Sequence, residues 1–342
     1  MRTTAWRNVG TWLFRPTAET LEGSVSGKVR ATAMDYEPRT GNLKRRAAWL
    51  DGAADPATTF DYDAFGNPVA ATDPLGHVTT TEYDTETLTF PVRVQAPRTG
   101  EVDHVTQADV DPRFGKPRAA IDANGNRTAH AYDAFGRLVA TFLPDGGELR
   151  VDHFDDRVPA LAVARVKENE SGGWIRRLQY TDGFGRVVQT VAFGEGGRPI
   201  AQRFFYDAMG RRHYSAGPLF AAGTDYPQAP PLPHSYVRTS FDLRGRPVRV
   251  ERPDHEHGAV AVEYAPSGLE VTATDPDGAA RTERRDYLGR VVEVIEHTEA
   301  GDSVTRYAYN AAGDLLRVEN ALGHAVAMRY DTLGRKVGMD DP

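Results

Sequence analysis

The sequence predicts an all-β chain, a long antiparallel meander of hairpins. Three observations predict it: a turn signal recurring at near-regular spacing, two-residue alternation in the segments between, and no window of eleven or more residues with a helical stripe.

The turn signal is Asp or Asn, two variable residues, then Gly. It begins at Asp63, Asp73, Asp122, Asp133, Asn169, Asp182, Asp207, Asp242, Asp275, Asp286, Asn310, Asn320 and Asp331. With 37 Asp plus Asn and 33 Gly in 342 positions, chance would supply about four copies of this pattern. The first residue of a type I turn favours Asp or Asn, whose side chain accepts a hydrogen bond from the backbone two residues on. The fourth position takes the left-handed conformation that suits glycine, and such a turn closes a hairpin with a bulge. The structural turn residues are therefore Asp63 with Gly66, Asp73 with Gly76, Asp122 with Gly125, Asp133 with Gly136, Asp182 with Gly185, Asp207 with Gly210, Asp242 with Gly245, Asp286 with Gly289, Asn320 with Gly323, and Asp331 with Gly334.

Spacing fixes the strand length. Gly115, Gly125, Gly136 and Gly146, and later Gly313, Gly323 and Gly334, follow one another at steps of 10 or 11. One period of about 21 residues holds two turns and two strands of about six, the commonest strand length. Two kinds of turn alternate: one follows an aromatic residue, as in YDAFGR (132–137), YDAMGR (206–211) and YDTLGR (330–335), and the other is shorter, as in DPLGH (73–77), DANGN (122–126) and NALGH (320–324).

Segments after the first kind of turn alternate. Val69, Val139, Val188, Val248, Val292, Leu316 and Val337 stand three past the glycine, and Ala71, Thr141, Thr190, Val250, Val294, Val318 and Met339 five past it. Between them lie Ala70, Ala140, Gln189, Arg249, Glu293, Arg317 and Gly338, which predicts one buried face and one wetter face. On the returning strand, Phe60 with Tyr62, Phe204 with Tyr206, and Tyr307 with Tyr309 share a face, and these aromatic ladders are expected to clamp neighbouring hairpins.

Domain organisation follows the repeat. Residues 1–35 match it poorly and form an N-terminal lead-in, while 36–342 form the repeat body. AGPLFAAGTDYPQAPPLPHSY (216–236), with five prolines, interrupts the period as a surface excursion inserted at a turn.

Composition narrows the function. A net charge of -7, with 41 Lys and Arg scattered among 48 Asp and Glu, argues against a nucleic-acid partner. Zero cysteine excludes disulfides and thiolate metal sites. No stretch has the roughly 18 apolar residues of a membrane span, and the first thirty residues hold no apolar run of signal-peptide length.

Candidate chemistry is weak. DANGN has the start of a calcium loop but lacks its other oxygen ligands and its distal Glu. DHEH (254–257) places His255, His257 and two carboxylates together, yet reads as a hairpin tip, and Asp152, His153, Asp155 and Asp156 make a looser group. GSVSG (23–27) has Val where a nucleophilic serine would stand, and GEGG (194–197) opens no helix for a phosphate. No catalytic, metal or cofactor residue is assigned, and the chain is expected not to be an enzyme. Arg137, Arg186, Arg211, Arg246, Arg290 and Arg335 follow turn glycines and suggest a row of solvated cations along one rim.

YDAFGRLVATFLPDGG, YDAMGRR, RDYLGRVVEV and YDTLGRKVGM resemble the tyrosine-aspartate (YD) repeats of the rearrangement hot-spot (RHS) family. These repeats also occur in shell-forming subunits of insecticidal toxin complexes and in teneurins. The resemblance covers about residues 36 to 342. It implies that the meander curls into a partial shell, a spiral β-ribbon that in complete bacterial members is a hollow shell enclosing a toxic C-terminal segment, and it implies secretion or cell-surface association in bacteria. About twenty strands at roughly 4.8 Å each would make a ribbon on the order of 95 Å wide, which must curl. The Pro-, Asn- and Tyr-rich plug with its aspartyl cleavage site does not follow KVGMDDP, so the sequence reads as a fragment or one part of a split shell. The expected function is a non-enzymatic wall around a polypeptide toxin cargo. Its partners would be that cargo or the remaining shell segments, and an extracellular carbohydrate-binding or adhesion module is the alternative.

Overall fold

The computed structural model describes residues 1–9, 13–23, 27–168, 170–227 and 235–341, which form 28 β-strands and one 3₁₀ turn at Glu195–Gly197. The turn at Asn169 and the middle of GSVSG lie outside the described residues. Strands outnumber the expected twenty because several hairpins close without the Asp-x-x-Gly signal, and because the lead-in residues also form strands.

The chain divides into two compact units, residues 1–127 with 304–342, and residues 128–303. The first holds β1 (Arg2–Val9), β2 (Leu13–Gly23), β3 (Gly27–Tyr36), β4 (Leu43–Ala48), β5 (Ala57–Tyr62), β6 (Pro68–Thr72) and β7 (Val78–Tyr83), and near its C-terminal end β26 (Leu315–Glu319), β27 (Ala325–Tyr330) and β28 (Lys336–Asp340). Each of these pairs antiparallel with its neighbour in sequence. The second unit includes β12 (Leu138–Phe142), β13 (Glu148–Phe154), β14 (Ala160–Lys167), β15 (Trp174–Thr181), β16 (Val187–Phe193), β17 (Pro199–Tyr206), β18 (Arg212–Phe220), β19 (Tyr236–Phe241) and β20 (Pro247–Asp254), paired in the same way.

Strict antiparallel succession puts alternate turns on opposite rims. In the second unit the turns 133–137, 182–186, 207–211, 242–246 and 286–290 share one rim, called the YD rim. The turns 143–147, 194–198, 254–257 and 275–279 share the other.

The rims differ in register. At the YD rim the pairing slips beside the last strand residue, between Asp61 and Tyr62, Ala131 and Tyr132, Phe205 and Tyr206, and Ser240 and Phe241. At the opposite rim Thr72 faces Val78, Phe142 faces Glu148, and Thr274 faces Ala280 in straight register. A bulge bends its strand and adds twist. Irregularities also occur elsewhere, at Leu21/Glu22, Ala96/Thr99 and Ala201/Arg203, but the bulge beside the YD-rim turn recurs from hairpin to hairpin and bends them in the same sense, which is how this turn chemistry becomes curvature.

The second unit carries the best-packed region, a cluster of Leu161, Leu178, Tyr180, Val188, Val191 and Ala201. Register places Val163 opposite Leu178, Leu178 opposite Val191 and Val191 opposite Ala201, so they share a face with the row Tyr180, Gln189 and Arg203. This corrects the assignment of faces. Gln189 and Ala140, expected on the wetter face, are buried, whereas Val337 and Met339, expected inside, are exposed.

For Gln189 the cause is the Pro-rich connection. Ala216–Phe220 continue β18, and the excursion is confined to 221–235, of which 228–234 lie outside the described residues. Residues 221–227 turn back onto the sheet. The Tyr180 hydroxyl donates to the Thr224 carbonyl at 2.9 Å, the Gln189 amide donates to the Asp225 carbonyl at 3.3 Å, and the Tyr180 and Tyr226 rings lie 5.7 Å apart. A buried amide is tolerated because it is hydrogen-bonded.

Candidate functional site

The YD-rim turns are built alike. In the turn after β15, the Asp182 carboxylate accepts the N–H of Phe184 at 2.9 Å and that of Arg186 at 3.0 Å. Gly185 sits at φ +77° and donates to the Asp182 carbonyl at 3.0 Å. The Arg186 side chain then folds back, Nε to Asp182 Oδ2 at 2.8 Å.

The same clasp joins Arg137 to Asp133 at 2.8 Å, Arg211 to Asp207 at 2.7 Å, Arg246 to Asp242 at 2.8 Å, Arg290 to Asp286 at 2.6 Å and Arg335 to Asp331 at 2.6 Å. Asn67 replaces the arginine beside Asp63, at 2.9 Å, and His77 does so beside Asp73, at 3.0 Å. The arginines are thus not a row of free cations. Each is neutralised by the aspartate of its own turn, and the pair stiffens the reversal.

Tyrosines at this rim tie hairpins together. The Tyr62 hydroxyl at the end of β5 donates to the Leu43 carbonyl at the start of β4 (3.0 Å), and Tyr83 of β7 reaches Pro68 of β6 (3.1 Å). Tyr206 of β17 reaches Val187 of β16 (2.8 Å) in the same way. These bonds stand where aromatic ladders were expected at Phe60 with Tyr62 and Phe204 with Tyr206. The Phe204 and Tyr206 rings are covered by the guanidinium groups of Arg212 and Arg186, at 5.1 and 4.6 Å. The signal in the sequence was the tyrosine itself, one residue before Asp63, Asp84 and Asp207, but a hydroxyl's partner on a neighbouring strand has no local signature.

The acidic groups of DHEH and DANGN serve turns, whereas Asp152 and His153 lie within β13. Asp254 accepts the N–H of Glu256 and His257 and lies 2.9 Å from His257 Nδ1. Asp122 caps Asn124 and Asn126. Asp152 pairs with Arg165, and Asp155 pairs with Arg137 at 2.8 Å, so Asp152 and Asp155 are held by different cations. Among the described residues no three His, Asp or Glu converge as a metal site would require.

Within the first unit, two stretches of ribbon far apart in sequence meet. Arg30 on β3 grips both oxygens of Asp314 at 2.7 and 2.9 Å. Thr332, at the tip of the turn between β27 and β28, donates to the Trp49 carbonyl at 2.9 Å and accepts the Asp51 N–H at 3.2 Å. The turn 310–314 reverses the usual clasp, with Asn310 in the place of Asp and Asp314 in the place of Arg, which frees a carboxylate for Arg30.

In the second unit, the face opposite the packed cluster forms a hollow of about 530 Å³. Register aligns Ala162, Gln179, Thr190 and Gln202 across β14 to β17, and Ala164, Arg177 and Ala192 flank them. Small side chains leave space there, and amides and a hydroxyl supply hydrogen-bonding groups along it.

The clasps set the response to acid. The Arg186 and Arg290 side chains, ahead of the opposing effect of burial and with backbone N–H groups added, hold Asp182 and Asp286 below the ordinary carboxylate range. Asp111 is lowered to about 2, chiefly by its hydrogen bond from Arg113. A folded pKa below the unfolded value of about 3.9 gives stability that is present above that value and lost as pH falls through the folded one. Melting temperature is expected to hold steady from neutral pH down to about 4.5 and to fall below about 4, as circular dichroism melts would record. Asp182→Asn should lower the plateau and flatten the acid limb, and an unchanged limb would remove the clasps from the account.

These features define a class first: an antiparallel β-ribbon whose hairpins are closed by clasped Tyr-Asp-x-x-Gly turns. The RHS repeat profile matches residues 62–87, 113–148 and 309–342, and the profile of a domain of unknown function, DUF6443, matches 153–237. The chain thus carries RHS repeats at these three places. Among solved structures it is similar to a crystal structure of TcdB2-TccC3-Cdc42, with a TM-score of 0.76 and 12% identity over 99% of this chain and 27% of that one. A crystal structure of TcdB2-TccC3 without its hypervariable C-terminal region gives 0.75 and 11%, with the same coverage. At such identity the likeness is one of fold, and the chain spans only about a quarter of those chains' length. No curated protein sequence matches it.

Proposed function

We propose that this chain is a structural, non-enzymatic segment of a YD-repeat shell, a wall that encloses a polypeptide cargo in a secreted or cell-surface bacterial assembly. The observation that carries the reading is the bulge repeated beside successive clasped YD-rim turns, which bends a single-layer sheet, together with a hollowed face lined by Ala162, Ala164, Thr190 and Ala192. The fold shared with TcdB2-TccC3 supports it. The turns spend their aspartates, arginines and histidines on holding the backbone, which suits a wall rather than a reaction centre. The shell reading also makes the partners a cargo polypeptide and further shell segments.

Electron microscopy of the purified chain, alone and with the products of neighbouring genes, tests this. Curved walls around internal density in the mixtures are expected. A compact solid particle in every sample would count against enclosure.

A further inference from the structure

The YD rim of the second unit carries a ridge of exposed apolar side chains, of which Phe135 and Phe184 also meet the arginine of their own turn, at 5.3 and 5.0 Å. Phe135, Phe184, Met209, Leu243 and Leu288 stand at the tips of its clasped turns, exposed by between 73% and 108%. The opposite rim of the same unit has Asp145, Glu195, Asp254 and Asp277 in its turns, so the turn geometry accepts polar tips. Phe184, Met209 and Leu243 sit on consecutive YD-rim turns, two strands or about 10 Å apart. A run of large apolar side chains held out on stiffened turns marks an interaction surface.

The fold shows what covers such a rim. In the first unit the YD-rim turns 310–314 and 331–335 are seated on Arg30, Trp49 and Asp51, and the last two belong to the opposite-rim connection between β4 and β5. Leu333, at the tip corresponding to Phe184, is only partly exposed there. A YD rim therefore docks on an opposite rim. The opposite rim of the first unit presents apolar tips of its own, Leu75, Val102 and Leu322.

From this we propose that the YD rim of the second unit seats the opposite rim of the first unit of another copy of the chain. The contact is head to tail, because the two surfaces differ, so each copy offers one surface and receives on the other, building a ring where the rotation closes and an open row where it does not. It stands apart from the enclosure reading: a monomer that still forms a curved wall in the microscope would sink this inference alone.

Sedimentation velocity over a hundredfold range of protein concentration provides the test, with circular dichroism as the check on folding. The native chain should gain mass with concentration. A ridge variant, Phe135→Ser with Phe184→Ser, Met209→Ser and Leu243→Ser, should stay monomeric, and so should a receiving-rim variant, Leu75→Ser with Leu322→Ser. Mixing the two variants should restore association and stop at a one-to-one pair, since each retains the surface the other has lost. A monomeric native chain, association that survives the ridge variant, or no complementation on mixing would overturn the proposal. Ridge-dependent binding to phosphatidylcholine and phosphatidylglycerol vesicles, without self-association, would assign the ridge to a membrane surface instead.

Discussion

Gly217→Ala should destabilise the second unit more than alanine at any open turn glycine. Gly217 lies within β18 at φ +91°, and a Cβ there would stand 2.6 Å from the Ala201 carbonyl oxygen and 3.2 Å from the Leu219 nitrogen. Both neighbours are backbone and belong to the β17–β18 pairing, so neither can swing away. The left-handed conformation costs an alanine about 1–2 kcal/mol, and forcing an extra methyl into a filled site adds about 1–3 kcal/mol. Gly185→Ala separates the two effects, since Gly185 has φ +77° but open space around a Cβ. Urea unfolding should show Gly185→Ala losing only the conformational part. Equal losses in the two variants would mean that the close approach to Ala201 contributes nothing.

Tyr180→Ala is expected to have the other large effect. Tyr180 is 3% exposed, packs in the cluster with Leu178, Val188 and Val191, and holds the excursion through Thr224 and Tyr226. Truncating a buried aromatic ring costs about 3–5 kcal/mol, whereas Tyr180→Phe removes one hydrogen bond and should cost about 0.5–1.5 kcal/mol. Protease of broad specificity should cut the 221–235 connection faster in Tyr180→Ala than in Tyr180→Phe, and slowest in the native chain. Unchanged cleavage in Tyr180→Ala would show that the excursion is held by something other than this tyrosine.

These two positions also mark where sequence reading loses force. Gly185 is legible as part of a turn, because Asp182 three residues earlier and Arg186 directly after it complete a local hydrogen-bonded unit. Gly217 carries no such mark, as its constraint comes from Ala201 on a neighbouring strand. Tyr180 reads as one strand residue among many until residues 221–227 fold over it. The arginines after the turn glycines suggested a charged rim for a related reason: each is written four residues from its aspartate, but whether a long side chain reaches outward or curls back is decided by the turn it helps to close.

The sequence by itself determined the architecture of this protein. A five-residue reversal fits within the reach of one aspartate, one glycine and one arginine, so repeating it at 10- or 11-residue steps commits the chain to antiparallel hairpins. Tertiary structure decided what lies on the two faces and rims. Gln189 is inside because a distant segment supplies its acceptor, Asp314 receives Arg30 from across 284 residues, and the Phe184 ridge is left uncovered. Alternation along a strand distinguishes one face from the other, but which face becomes dry depends on what folds against it, and that partner is remote in the chain.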